Sequence, residues 1–269
     1  MRQQRNIALI GCGAIGAVVA EALHRELRHA FALAYFCDAS PDKAESLAQR
    51  LGGKAVRYED AIPECDIVLE AATAAAMPAI LRTAWRHNKP CIALSLGGFA
   101  LDPALLHEAE QAACPVYLPS GAIAGLDGVL ALRELGLDEV SLTTIKHPRS
   151  LSGVPYLEQQ GFTPANLSGP LTVFEGSAGE AIRNFPANVN VAITLSLAGI
   201  GFERTQVRLV ADPDTTRTIH TVVAKAGDCM ISATTTGIPL PQNPKSSLLA
   251  VESAIALCRR LASFLRPGL

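Results

Sequence analysis

Short apolar runs alternate with helical patterns through the first 120 residues of the chain. The apolar runs cover residues 6–11, 31–38, 65–72 and 91–98. One helical segment between them begins with Ser40 and Pro41, which suit a helix N-cap and first helical position, and stops at Gly52. Strands that alternate with helices of about 10–15 residues predict βαβ units and a mainly parallel sheet.

The spacing changes after residue 120, where strand-like runs lie closer together and apolar residues recur at every second position. These runs cover residues 139–147, 171–176, 205–212, 218–226 and 229–237. They predict an α+β domain on a mixed or antiparallel sheet. The chain then ends in an amphipathic pattern for which Asn243 suits the N-cap and Pro244 the first helical position.

The two rhythms predict an α/β protein in three parts. Residues 1–120 form the first, α/β domain, and residues 121–242 form the second, α+β domain. Residues 243–269 form a C-terminal helix that packs back on the first domain.

Composition narrows the range of partners. Hydrophobic residues make up 49% of the 269 residues, charged residues 18%, and the formal net charge is −2. There is no basic run with interleaved aromatic residues, so we expect no nucleic-acid partner. The hydrophobic content and the second sheet make a homodimer the expected assembly.

The seven cysteines are irregularly spaced and form no Cys-x-x-Cys pair, which is typical of reduced thiols in a reducing compartment. The polar start "MRQQRN" leads directly into a strand, so no signal peptide is visible. No stretch has the roughly 20 apolar residues that a membrane span needs. We therefore expect a cytoplasmic protein without a membrane partner.

The segment "GCGAIG" follows the first predicted strand and opens the first predicted helix. Gly11 permits the tight turn, Gly13 allows a pyrophosphate to approach the backbone, and Gly16 allows close packing of helix on strand. Ala14 and Ile15 lie between them, at the helix start, where backbone N–H groups and the helix dipole attract phosphate. This context predicts a dinucleotide site, so we expect residues 1–120 to form a dinucleotide-binding (Rossmann) domain and residues 121–242 to form the catalytic and substrate-binding domain.

Asp38 ends the second predicted strand, where an acidic residue binds the ribose hydroxyls of such a cofactor. A carboxylate there favours NAD because it accepts from the 2′-hydroxyl and repels a 2′-phosphate. The following "DASPDK" offers small residues and Lys43, so NADP stays an alternative.

The chemistry is narrowed by what the sequence lacks. There is no Tyr-x-x-x-Lys dyad, no Walker-type loop, and no His-x-x-x-His or cysteine cluster for zinc, so we expect no metal. A metal-free dehydrogenase or reductase remains. Of the six histidines, His220 differs because it lies in a predicted strand of the second domain. Imidazole titrates near neutrality, so His220 is either the acid–base group or a hydrogen-bonded strand residue.

Several separated segments together resemble the L-aspartate dehydrogenase family. They are "IGCGAIG", "PSGAIAGLDG", "NFPANVNVAITLSLAGIG", "VRLVADP", the strand with His220, and "LPQNPKSSLLA". The resemblance runs nearly end to end. It implies NAD- or NADP-dependent, reversible oxidation of L-aspartate to iminoaspartate, which hydrolyses to oxaloacetate and ammonia and can feed nicotinamide-cofactor biosynthesis. The family often has an asparagine two residues before the histidine, where this chain has Thr218.

The resemblance also implies residue roles. His220 is the catalytic acid–base, and Ala124 and Asn190 contact the cofactor. Asn188 and Asn190 both precede an apolar helical pattern, yet one amide suffices as a cap. Asn188 then serves as the cap, and Asn190 offers a donor and an acceptor to the nicotinamide or its ribose.

The substrate carboxylates need an anion site. Lys245, Ser246 and Ser247 lie at the predicted start of the last helix, where a lysine and free backbone N–H groups suit a carboxylate, although plain capping is the alternative.

Three rival functions stay open. The first is a related metal-free reductase of the dihydrodipicolinate reductase or homoserine dehydrogenase type. The second is a non-catalytic dinucleotide sensor, and the third is an enzyme that acts on D-aspartate or glutamate.

Overall fold

The computed structural model describes residues 4–164, 167–185, 190–241 and 243–263. The chain divides into two compact units: residues 1–119 with 251–267, and residues 120–250 with 268–269. The predicted α/β class is confirmed, with a parallel sheet in the first unit and a mixed sheet in the second.

The first unit is built on a six-stranded parallel sheet. Its strands are β1 (Arg5–Ile10), β2 (Phe31–Cys37), β3 (Lys54–Ala55), β4 (Ile67–Glu70), β5 (Cys91–Ala93) and β6 (Val116–Tyr117). Its helices are α1 (Ala14–Glu26), α2 (Pro41–Leu51), α3 (Tyr58–Glu64), α4 (Met77–Arg86), α5 (Gly98–Leu101) and α6 (Ala104–Gln111). The strand order β3-β2-β1-β4-β5-β6 reverses direction between β1 and β4. Such a switch point opens a crevice at the carboxyl ends of the strands.

The second unit is built on a five-stranded sheet of order β11-β10-β7-β9-β8. Its strands are β7 (Glu139–Lys146), β8 (Leu171–Ser177), β9 (Gln206–Ala211), β10 (Thr218–Ala226) and β11 (Cys229–Gly237). Its helices are α7 (Leu126–Leu135), α8 (Pro155–Gln159), α9 (Ala178–Asn184) and α10 (Asn190–Ala198), with a 3₁₀ turn at Pro148–Leu151. Only β7 and β9 pair in parallel, so the sheet is mixed.

The C-terminal helix begins later than the sequence predicts. Asn243–Ser247 forms a strand, β13, which pairs with β12 (Pro239–Leu240), and helix α11 covers Leu248–Ala262. Asn243 and Pro244 are therefore strand residues, and the prediction of a helix N-cap there is wrong. The pairing with β12 outweighs the local preference for a helix N-cap. In a two-stranded ribbon the outer edge of each strand has no partner strand, so a proline, which lacks an N–H group, is tolerated there.

Helix α11 packs on the first unit, as predicted. Arg259 forms an ion pair with Glu26 of α1 at 2.6 Å, and the Arg5 guanidinium donates to the Leu261 carbonyl at 3.0 Å. Val251, Ala254 and Cys258 are fully buried along the apolar side of the helix. None of the helices in the described part of the chain has both the length and the apolar content that crossing a bilayer requires.

Candidate active site

The glycine-rich loop connects β1 to α1 under tight steric limits. Gly11 has a φ of +100°, in the left-handed region that favours glycine, and a methyl group there would overlap the backbone of Ala71. A methyl group on Gly16 would overlap the Gly11 carbonyl oxygen. Gly11 and Gly16 therefore hold the loop against β4 and the helix against the loop.

Gly13 has a different environment. It is the N-cap residue of α1, with extended backbone and no side-chain cap, and a Cβ there would meet no described atom within 4 Å outside the adjoining segment of the chain. Ala14 and Ile15 begin the helix directly after it. The first turn is thus open beside Gly13, which is the geometry that receives a phosphate group.

Asp38 organises the same loop. Its Oδ2 accepts from the Cys12 N–H at 2.7 Å, and its Oδ1 accepts from the Ser40 N–H at 2.8 Å. Each carboxylate oxygen has a second lone pair, so both still have capacity for a ribose hydroxyl. Asp38 therefore ties the end of β2 to the glycine loop and presents acceptors at the predicted ribose position.

A cavity of about 720 Å³ opens at this edge of the parallel sheet. Gly11, Gly13 and Asp38 line it, and so do Lys43 and Arg57. The volume and the lining fit the adenosine and phosphate parts of NAD. The two cations lie on the same cavity as Asp38 and also suit a 2′-phosphate, so the residues fit NAD or NADP.

Glu70 is a site residue that sequence reasoning missed. It ends β4 at 0% exposure, and its carboxylate accepts from the N–H groups of Ala72 at 2.8 Å, Leu94 at 3.2 Å and Ser95 at 3.0 Å. Burial raises the pKa of Glu70, whereas the hydrogen bonds from Ser95, Ala72 and Leu94 lower it. The carboxyl joins the loops after β4 and β5 at the cofactor edge. The sequence feature that points to Glu70 is an acidic residue at the end of the apolar run "IVLE".

His220 is buried in β10 of the second unit, with 5% of its surface exposed. Its Nδ1 is hydrogen-bonded to the Thr144 Oγ1 of β7 at 2.9 Å, and the two residues are direct cross-strand partners. Burial, and then the positive charge of Lys146, lower the pKa of His220 to about 4. The imidazole is therefore neutral at physiological pH and held in one orientation.

The loop before α7 lies beside His220. Thr235 of β11 pairs with His220 in the sheet, and its hydroxyl donates to the Ala122 carbonyl at 2.6 Å. Gly125, with φ +83°, packs the same loop on β11, because a methyl group there would lie 3.1 Å from the Ala233 Cβ. Ala124 is an exposed residue of this loop, so the structure brings Ala124 and His220 into one region.

Asn190 also belongs to this region of the second unit. It is an exposed residue at the first described position of α10, and its carbonyl accepts from the Thr194 hydroxyl at 3.1 Å. A methyl group on Gly121 would lie 3.5 Å from Val191 Cγ1, so the Ala124 loop and the start of α10 are neighbours. Asn188, the predicted cap, lies outside the described residues.

The predicted substrate residues occupy a strand rather than a helix start. Lys245, Ser246 and Ser247 belong to β13, and α11 begins only at Leu248. Their assignment to a helix N-terminus is therefore wrong, and the Lys245 side chain lies outside the described part of the chain. Ser247 nevertheless lies close to the His220 sheet, since a methyl group on Gly237 would be 3.0 Å from the Ser247 Oγ.

Lys146 is a second residue that sequence reasoning missed. It closes β7, two positions after Thr144, and is half-buried. Burial lowers the pKa of Lys146 to about 8. The signal was a lysine that ends the alternating run "EVSLTTIK".

Across the described residues, no group of three or more histidine, cysteine or acidic side chains has the arrangement of a metal site.

Two family models match the chain. Residues 127–261 match the model described as "Aspartate dehydrogenase, C-terminal". Residues 11–119 match the model described as "Homoserine dehydrogenase, NAD binding domain". The first match includes His220 and the second includes the glycine loop and Asp38.

Similar proteins match nearly the whole chain. An L-aspartate dehydrogenase of Methanosarcina mazei is 38% identical over 268 residues, covering 97% of this chain and 98% of that protein. L-aspartate dehydrogenase 3 of Bordetella bronchiseptica is 33% identical, covering 99% of this chain and 98% of that protein.

Solved structures show the same architecture. The crystal structure of an aspartate dehydrogenase from Thermotoga maritima matches with a TM-score of 0.75 and 26% identity, covering 98% of this chain and 99% of that one. A putative myo-inositol dehydrogenase from Sinorhizobium meliloti, at 14% identity and a TM-score of 0.52, covering 96% of this chain and 87% of that one, shares the fold alone.

Proposed function

Because this chain belongs to the aspartate dehydrogenase family, we propose that it oxidises L-aspartate to iminoaspartate, which hydrolyses to oxaloacetate and ammonia. It is an oxidoreductase, an amino-acid dehydrogenase that uses NAD or NADP. The observation that carries the substrate assignment is the aspartate dehydrogenase match over residues 127–261, because that segment contains the buried His220 held by Thr144.

The cofactor-binding roles fall to the first unit and to two positions of the second. Gly11, Gly13, Ala14, Ile15 and Gly16 would receive the pyrophosphate, and Asp38 the adenosine ribose. The open helix start at Gly13 and the remaining lone pairs of Asp38 support these roles. Ala124 and Asn190 would contact the nicotinamide end. The position of the Ala124 loop beside His220 supports this role, and so does the position of Asn190 at the start of α10, next to that loop. The bound nicotinamide supplies the acceptor for the hydride that leaves Cα.

His220 is the proposed acid–base residue. The competent tautomer carries its hydrogen on Nδ1 and donates it to Thr144 Oγ1, which leaves the Nε2 lone pair for a proton. His220 takes that proton from the water whose oxygen attacks the imine carbon. With its pKa lowered to about 4, the resulting imidazolium is a strong acid and returns the proton to the departing amino nitrogen.

The division of labour between the units is part of this proposal. The unit of residues 1–119 with 251–267 holds the cofactor, and the unit of residues 120–250 carries the substrate.

Iminoaspartate released by this chemistry is a precursor that nicotinamide-cofactor biosynthesis can consume. The seven cysteines are all free, which supports a reducing, cytoplasmic location.

A homodimer through the second sheet completes the proposal. Along β10, buried residues alternate with half-buried ones, and helices α7, α9 and α10 contact the sheet. On the opposite face, Ile145, Val210 and Ile219 are half-buried cross-strand neighbours, and Val223 lies further along β10 beside Ser141 and Ser232. We take this small apolar cluster as the contact between copies, since a closed homodimer buries the same patch on both subunits.

The test is a spectrophotometric assay of nicotinamide reduction with NAD and NADP against a panel of substrates. Reduction with L-aspartate, and reoxidation with oxaloacetate plus ammonia, is expected. Turnover of homoserine instead would favour the related reductase class, and turnover of D-aspartate or glutamate a different specificity. Cofactor binding without any turnover would leave only the sensor function.

A further inference from the structure

Two neighbouring rows of residues cross the second sheet at the end of β7. The first row contains Thr144, His220 and Thr235, which are direct cross-strand partners. The second row lies two residues further along each strand and contains Lys146, Thr218 and Gly237. Thr218 and Gly237 are direct cross-strand partners. Because side chains alternate along a strand, Lys146 and Thr218 emerge on the same face as Thr144 and His220.

Ser247 extends the second row. A methyl group on Gly237 would lie 3.0 Å from the Ser247 Oγ and 3.9 Å from the Thr218 carbonyl oxygen. The Ser247 hydroxyl is buried, and no hydrogen-bond partner for it exists within the described residues. A buried hydroxyl in this state is stabilised when a polar ligand reaches it.

Lys146 brings a positive charge to this row. Its side chain is half-buried. Its charge contributes to the lowered pKa of His220, which places the ammonium within electrostatic reach of the imidazole. An ammonium that has lost part of its hydration is stabilised by a bound anion.

We propose that Lys146, assisted by the hydroxyls of Thr218 and Ser247, binds one carboxylate of the substrate and thereby positions Cα next to His220. The inference rests on the proposed function, which requires a dicarboxylate in this site. It assigns the carboxylate-binding cation to the end of β7, whereas the sequence pattern indicated Lys245 of the C-terminal segment.

The experiment uses succinate, a dicarboxylate without an amino group, as a probe that binds but cannot be oxidised to an imine. Its dissociation constant is measured by calorimetry with the cofactor-loaded full chain, and the KM and kcat for L-aspartate are measured in parallel. Two variants, Lys146→Met and Lys146→Gln, remove the charge, so that the test still works if one of them does not fold. Lys54→Met, at an exposed position of β3, controls for the general loss of a positive charge.

Removal of the Lys146 charge is expected to weaken succinate binding and raise the KM for aspartate by about 10–100-fold, the range for a lost charge-assisted hydrogen bond. The kcat is expected to change less than the KM, and cofactor affinity is expected to stay unchanged. Lys146→Arg should recover most of the binding, and Thr218→Val should cost about three- to tenfold. A purely structural lysine would lower stability without this split between KM and kcat.

Unchanged succinate affinity and unchanged KM in a folded Lys146→Met or Lys146→Gln chain would overturn the inference, and so would a wild-type chain that binds no dicarboxylate. Failure of the proposed function is a separate result. If the wild type does not oxidise aspartate but binds succinate through Lys146, the carboxylate site stands and the aspartate assignment falls.

Discussion

At the scale of single residues, the chemistry depends on how burial changes a side chain. His220 loses its hydration in β10, and its pKa falls to about 4, mainly through burial and then through the Lys146 charge. The Thr144 hydroxyl compensates one ring nitrogen at 2.9 Å. The result is a neutral, oriented imidazole, which is the form that can accept a proton.

Removing the imidazole should separate chemistry from cofactor binding. His220→Ala is expected to lower turnover by about 10²–10⁴-fold, the usual contribution of a general acid–base, while the dissociation constant for NADH stays nearly constant. Thr144→Val, which keeps the shape but removes the hydroxyl, should lower turnover less. Steady-state kinetics and NADH fluorescence measure both. Normal turnover in His220→Ala would refute the catalytic role.

The lowered pKa of His220 also predicts a pH dependence of stability. The folded chain binds this proton less tightly than the unfolded chain, whose imidazole has the ordinary pKa of 6.5. The stabilising contribution is therefore complete above pH 6.5 and is lost as the pH falls through about 4. Denaturant unfolding between these pH values should show a steeper loss in the wild type than in His220→Gln. The exposed His24→Gln should retain the wild-type slope, and equal slopes in all three chains would contradict the assignment.

At the scale of elements, the glycine loop combines two functions that its three glycines divide. Gly11 and Gly16 have no room for a side chain, whereas Gly13 faces open space. Asp38 fixes the loop through the Cys12 N–H, and Glu70 holds the neighbouring loops after β4 and β5. Packing and binding can therefore be separated by mutation.

Two alanine substitutions in this loop should have opposite consequences. Gly16→Ala is expected to lower the free energy of unfolding by about 1–3 kcal/mol, because the methyl group overlaps the Gly11 carbonyl. Gly13→Ala should leave stability nearly unchanged but weaken NADH binding by about tenfold or more, since the methyl group occupies the space of the phosphates. Thermal unfolding and NADH titration distinguish them. Tight NADH binding by Gly13→Ala would count against the phosphate site.

Glu70→Gln should destabilise the first unit. The carboxylate accepts from three backbone N–H groups, and an amide in either orientation turns its NH₂ toward at least one of them. The expected loss is about 1–3 kcal/mol in the free energy of unfolding, the cost of a buried donor left unsatisfied. Denaturant unfolding gives the value, with the exposed Glu64→Gln as the matched control. Equal stability of the two variants would show that Glu70 does not hold the loops.

At the scale of the whole molecule, two units of different construction divide the work. A parallel sheet with a switch point forms a crevice for the cofactor, and a mixed sheet carries the proposed acid–base residue on β10. Helix α11 belongs to the first unit, where Val251, Ala254 and Cys258 are buried and Arg259 pairs with Glu26 at the surface. The outer face of the second sheet is the proposed interface between copies.

The dimer is tested on that outer face. Val223→Glu, which places a charge on the half-buried face of β10 opposite His220, is expected to convert a wild-type dimer into monomers. Leu130→Glu, on helix α7 at 40% exposure, should leave the mass unchanged. Light scattering coupled to size-exclusion chromatography reports the mass. A monomeric wild type, or a dimeric Val223→Glu chain, would exclude this interface.

Local patterns in the sequence determined the longer strands, most helices and the glycine loop, because hydrophobic periodicity and glycine sterics act over a few residues. The strands over 218–226 and 229–237 have the predicted bounds, and α2 starts and ends at the predicted residues. The tertiary structure alone decided that residues 243–247 pair with β12 instead of starting a helix. It also brought Thr144 against His220, and Glu70 against the loops after β4 and β5, through cross-strand pairing and burial. Those relations join residues distant in the chain, and no local pattern encodes them.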